Sequence, residues 1–311
     1  MKLINVLVAG LVFSLLSSCH EEDLTSRPLE MALRYEFPEG DNEWDKDLEE
    51  IAEEYKTYLI YKNLKEDDFD RSWVDAGSSS GVKGSPLNDE QAAFYTNFMK
   101  NHIFTFLPPE VTDRVLPIYI LMAYHMYTDT PWGASPNQAK YDGMDFWAFC
   151  LEGDVPGMFY PQIIRPKTPW DFKVKRGTIL KEIMRRIVEK GNIAIPVEFE
   201  NDFDYETQVE WIAGTENNEN HYKKRGFPGQ MSGTNGYVTI GALRNIASTS
   251  PKENLINYMH LAIRYDRDSV LVMYPRETYP KIIRYYDFTV NYLKNNYKWD
   301  IAQVAILPKF E

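Results

Sequence analysis

The stretch that most restricts the fold is Thr178 to Lys190, TILKEIMRRIVEK. Ile179, Leu180, Ile183, Met184, Ile187 and Val188 recur at i, i+1, i+4, i+5, i+8 and i+9, one stripe of a helix with 3.6 residues per turn. Such a stripe needs a second apolar surface to cover it. Lys181, Glu182, Arg185, Arg186 and Glu189 take the other side, where the spacing pairs Glu182 with Arg186 and Arg185 with Glu189. Pairs at i,i+4 stabilise an exposed helix by roughly 0.3 kcal/mol each, so a solvated face accounts for these charges.

The chain of 311 residues has room for a substantial core, and its 44% hydrophobic and 14% aromatic content is that of a folded protein. A net charge of -12 argues against nucleic acid or anionic lipid surfaces as partners. After the N-terminus no window offers ~20 consecutive apolar residues, the length a bilayer requires.

The N-terminus reads as a targeting segment. Lys2 gives a positive start and Ile4 to Leu16 a short apolar run. The run ends in Leu16-Ser17-Ser18-Cys19, which resembles the lipobox of bacterial lipoproteins, with Ser18 where Gly or Ala is commoner. Residues 1–18 are then a signal peptide, and Cys19 carries acyl chains that hold the protein at ~0.8 kcal/mol per buried CH2. The acidic run His20 to Asp23 resembles the signal that sends some lipoproteins to the outer face of the outer membrane. Residues 19–33 read as a flexible tether and 34–311 as the folded domain. With Cys19 acylated, Cys150 is the one free thiol, and its context MDFWAFC reads as a buried strand.

Along the chain, Asp41 to Tyr55 has helical spacing and Tyr58 to Tyr61 reads as a strand. Gly77 to Pro86 reads as a flexible loop, and Asn88 to Phe106 as a helix stopped by Pro108-Pro109. Leu116 to Tyr124 and Met144 to Phe149 read as buried, neighbouring strands. Gly191 to Gly236 is polar and long, as a lid or a mobile surface segment would be. Helices are expected at Ile240 to Ala247, at Pro251 to Arg264 with Ser250 as cap, and at Tyr279 to Asn295. Early strands and late helices imply a single α+β domain, a small mixed sheet with several helices.

Chemistry is harder to find. Apart from His20, which follows Cys19, none of His102, His125, His221 and His260 has another His or Cys within four residues. His260 reads as a packed or surface side chain, and His125 sits at an expected strand end. No GxSxG elbow, P-loop or GxGxxG is present. Lys181 and Arg185 do have the spacing of the two histidines in an HExxH helix, with Glu182 in the place of its general base.

Three further patches carry a family resemblance. They are FPEGDNEWDKDLEEIAEEYKTYLIYKN from Phe37, KKRGF with ALRNIASTSPKENLINYMHLAIRY from Lys223 and Ala242, and YYDFTVNYLKNNYKWDI from Tyr285. In order and spacing they resemble the substrate import-associated zinc metallohydrolase lipoproteins, encoded beside outer-membrane glycan-import systems. The resemblance implies a zincin-like, metallopeptidase-like fold. It lays the family's first zinc-binding His on Lys181, the general base on Glu182 and the second His on Arg185. Asn254-Leu255-Ile256-Asn257 stands where the family has an acidic-Phe-Ala-Glu pattern, so Asn257 falls on the third ligand and Glu253 lies beside it.

A zinc ligand must offer a lone pair. Lys181 would need ~4.6 kcal/mol to lose its proton at pH 7, and Arg185 far more. The expected protein is a degenerate member that binds no cofactor. It would be anchored to the outer membrane by lipid, with the acidic run after Cys19 pointing to the cell surface, and act as an accessory in capture or import of a glycan or peptide. Lys181 and Arg185 would then present cations to a ligand in the old cleft. Two alternatives stay open. One is an active zinc hydrolase whose metal has moved to His221, His260, Glu253 or Glu182; the other is a structural subunit beside import-complex proteins.

Labelled palmitate should enter the full chain in a bacterium that processes lipoproteins, and Cys19→Ala should abolish the label. An unlabelled wild-type chain would refute the anchor.

Overall fold

The computed structural model describes residues 33–71, 81–154, 162–231 and 240–308. The signal peptide, Cys19 and nearly all of the expected tether lie outside the described residues. A compact unit begins at Tyr35.

Helix α1 (Glu43–Tyr55) starts where Asp45 accepts the Asn42 N–H at 2.9 Å and buries Leu48, Ile51 and Ala52. Strand β1 (Tyr58–Ile60) follows. Part of the expected loop at 77–86 is strand β2 (Val82–Ser85). Its pattern VKGS gives little apolar signal, and its order comes from pairing with a distant strand. Helix α2 (Asp89–Phe98) runs on through a wider turn, Met99–Ile103, and a tighter one, Phe104–Phe106, before Leu107. A short helix α3 (Pro109–Thr112) comes next.

Strand β3 (Tyr119–Thr130) is the spine of a mixed six-stranded sheet. The others are β4 (Gly133–Pro136), β5 (Ala139–Lys140) and β6 (Phe146–Cys150). The first half of β3 lies between β1 and β6, parallel to both. Its second half lies between β2 and β4, antiparallel to both, and β5 pairs antiparallel with β6. Strands flanked in parallel and covered on both faces read as continuous apolar runs, as in ILMA of β3 and the wholly buried FWAFC of β6.

His125 stands where β3 changes partners, inside the strand rather than at its end. Ser85 faces Tyr124 and Lys83 faces Tyr127, so β3 carries one extra residue there. His125 has a φ of 53°. That is the left-handed region, where a non-glycine residue costs on the order of 1 kcal/mol, so the bulge is held by the ladders on both sides. Gly153 lies against it, where a Cβ would come within 2.8 Å of the His125 Cα and N.

Helix α4 (Pro169–Lys190) is the helix of the opening stripe. Thr168 caps it, with Pro169 in the first turn, and it ends at Gly191, φ 86°. The polar stretch after Gly191 is ordered where described. A short helix α5 (Val197–Asn201) leads into it, and Phe199, Phe203, Val209, Tyr222 and Phe227 are buried. In place of the expected helix at 240–247 are strand β8 (Ile240–Gly241), paired with β7 (Gln230–Met231), and a tight turn at Ile246–Ser248. Helix α6 (Pro251–Arg264), capped by Ser250, is buried without a break from Asn254 to Ile263. Helices α7 (Arg267–Met273) and α8 (Pro280–Tyr297) follow, then a tight turn at Ile301–Ala305. Among the described residues no helix is long and apolar enough to cross a membrane.

One hydroxyl ties α2 to the sheet. Tyr95 donates to the Ala123 carbonyl at 2.8 Å and accepts the N–H groups of Leu151 at 2.8 Å and Glu152 at 3.0 Å. Tyr95→Phe should leave these backbone groups unpaired and cost about 2 kcal/mol, read by urea unfolding; a loss within error of zero would contradict this accounting.

Candidate functional site

The residues that the HExxH spacing singled out lie where α4 packs on α6. Lys181 is not on a solvated face, as the side opposite the stripe was expected to be; it is only 2% exposed. The reason is that α4 is covered on more than its stripe. Ile179, Ile183, Met184 and Ile187 enter the core, and α6 covers the flank that carries Lys181. Burial holds the Lys181 ammonium below its usual pKa; Glu182 opposes that shift and Arg185 adds to it.

Arg185, one turn on, bridges the two helices. Its Nη1 reaches Glu253 Oε1 at 3.2 Å and Oε2 at 3.3 Å, and Glu189 Oε1 at 3.4 Å. Glu253 is near the start of α6, where its amide donates to the Ser250 cap at 3.2 Å. Negative charge in the first turn suits the helix dipole, so Glu253 serves both the helix end and Arg185.

Glu182 turns to the other flank of α4. Its Oε1 is 3.8 Å from Arg186 Nε. The Arg186 guanidinium lies 5.3 Å from the Trp147 ring centre and 5.7 Å from that of Tyr141, and it donates to the Tyr141 carbonyl at 3.2 Å. The i,i+4 pairs Glu182–Arg186 and Arg185–Glu189 thus form as the spacing indicates.

From α6, Asn257 is 3% exposed, and its Oδ1 accepts the Met231 N–H at 2.8 Å. It fastens β7 to the helix. Asn254 is fully buried and donates to the Tyr205 hydroxyl at 3.2 Å. His260 is 2% exposed, and its Nδ1 has no hydrogen-bond partner. Burial, then the charges of Lys181 and Arg185, push its pKa down to about 3. Buried His260 and Lys181 and the half-buried Arg185 therefore belong to one cluster, which spacing along the chain could not reveal.

The relocated-metal alternative draws its ligands from His221, His260, Glu253 or Glu182. His221 is buried in the segment between α5 and β7, where its Nδ1 accepts the Lys223 N–H at 3.3 Å and its charged neighbours are Lys223, Glu216 and Glu210. Among the described residues no three or more His, Cys, Asp or Glu side chains are grouped to hold a metal ion. The three positions that the resemblance assigns to zinc hold an ammonium, a guanidinium and an amide already bonded to backbone, and these do not fit zinc. Lys181 is covered and Arg185 is partly exposed, so of the two cations expected to face a ligand only Arg185 reaches solvent.

Cys150 is fully buried. Its Sγ accepts from Met126 N at 3.4 Å and donates to the Glu152 carbonyl at 3.1 Å, and burial pushes its pKa up to about 11. It is a core thiol.

No family model and no curated protein matches the chain. Among solved structures, a "putative zinc-binding metallo-peptidase" from Bacteroides caccae is similar at 11% identity and a TM-score of 0.44, over 86% of this chain and 92% of that one. A likeness at that level assigns neither a family nor an activity.

His260 gives a pH test. Its pKa falls from the ordinary 6.5 to about 3 on folding, so the folded state resists protonation. The stability it contributes is full above pH 6.5 and is lost as pH falls towards 3. Between pH 7 and pH 5 the wild type should lose about 2 kcal/mol more than His260→Gln in urea unfolding, and equal losses would refute the burial argument.

Proposed function

We propose that this chain is a non-catalytic accessory protein on a zincin-like scaffold, held at the outer membrane by lipid on Cys19, that takes part in capturing or importing a glycan or peptide. The observation that supports the loss of catalysis is the state of the three positions the resemblance assigns to zinc. Lys181 is buried beside His260, Arg185 is paired with Glu253, and Asn257 is bonded to Met231. Arg185 ties α4 to α6 and Asn257 ties α6 to β7, while Lys181 is shut away from solvent.

Glu182, in the general-base position, has Arg186 as its ion-pair partner. A general base needs a water made acidic by a metal or an equivalent cation. Lys181 and Arg185 cannot coordinate that metal, so the chemistry has no starting point. The anchor rests on Leu16 to Cys19 and the acidic His20 to Asp23 that follows. With Lys181 covered, the surface that meets a ligand is elsewhere on the fold.

Elemental analysis of the purified full chain should find zinc well below one equivalent, and Glu182→Gln should leave any ligand uptake by the host bacterium unchanged. One zinc per chain, removable by chelator together with a peptidase or glycosidase activity, would overturn the reading.

A further inference from the structure

Away from the α4–α6 cluster, a cavity of about 580 Å³ lies between the end of α2, the first turns of α4 and the segment after the last tight turn. Its wall holds a cation without a counter-ion. Arg176 is only 2% exposed. Its Nη2 donates to the carbonyls of Val304, at 2.6 Å, and Ile306, while its Nε has no partner. Among the described residues no carboxylate pairs with it, and burial alone lowers its pKa to about 10, so it stays charged at pH 7. Two carbonyl dipoles and the Phe106 ring, whose centre lies 4.6 Å from the guanidinium carbon, answer part of a full charge; burying an ion costs several kcal/mol unless it is matched more completely.

The remaining walls suit a small organic ligand. His102 is buried with its Nδ1 unpartnered, and burial followed by the Arg176 charge lowers its pKa to about 4, so it adds no second cation. Phe94, Phe106 and Phe172 give aromatic surface, and Asn97, Asn101 and Gln303 bring amides that both donate and accept. The volume is in the range of small-molecule sites, which run from roughly 300 to 1,000 Å³.

We propose that this cavity binds a small organic carboxylate. Arg176 receives the carboxylate, the amides meet hydroxyl or carbonyl groups on its body, and the phenylalanines cover its apolar face. One guanidinium matches one negative charge. A phosphate, at about -1.5 to -2 at pH 7, would keep unmatched charge against aromatic walls.

The test is calorimetric titration of the full chain with galacturonate and benzoate, against neutral galactose and benzamide and against inorganic phosphate. At least one carboxylate should bind, its neutral counterpart should not, and Arg176→Met should weaken binding about ten- to hundredfold. Because Arg176 also clamps the last turn, that variant could fail to fold. Asn97→Trp fills the mouth of the cavity from an exposed position and should weaken the same titration by a similar factor. The proposal falls if neither carboxylate binds at about 10 mM. It also falls if phosphate binds more tightly than both, or if Asn97→Trp binds like the wild type.

Discussion

Helix α4 is enclosed on most of its circumference, and several of its cations lie where protein groups rather than water must meet them. Lys173, Arg176 and Lys181 are all buried along one helix. Desolvating a cation is expensive, so each one dictates what its surroundings must supply. Arg176 takes backbone carbonyls from the last turn, Lys181 has Glu182 adjacent, and Arg185 draws Glu253 from α6. The positions of α6 and of the C-terminal turn thus depend on α4.

The sheet supplies the other half of the frame. Strand β3 is hydrogen-bonded on both sides along its length, and this lets it carry the left-handed His125 in the middle of a strand. The parallel end, where β3 and β6 are wholly buried, belongs to the core that α2 and α4 also share. Tyr95 joins the two layers by bonding a carbonyl within β3 and the amides just past β6 with one hydroxyl.

A metal centre and a buried ion cluster make opposite demands on the same helical positions. Zinc requires neutral or anionic donors with free lone pairs and an opening for substrate. The residues at Lys181, Arg185 and Asn257 bring protonated groups or an amide already in use, and the helices close over them. Such an arrangement stabilises the pairing of α4 with α6 in a way an open metal site would not.

Much of this was legible in the sequence. The α4 stripe, the cap at Ser250 and the apolar runs of β3 and β6 follow from local periodicity and cap chemistry, so they need no knowledge of neighbours. The i,i+4 pairs of α4 were legible for the same reason. Strand β2 and the β7–β8 pair were not, because two to four residues of mixed polarity become strands only when a partner arrives. Nor was the burial of Lys181 or its meeting with His260, 79 positions away in sequence. The sequence by itself determined which residue types stand on α4 and therefore that two of its cations cannot ligate zinc. Only the tertiary structure decided that one of them lies under α6, because exposure depends on what packs against a helix and not on the order of residues along it.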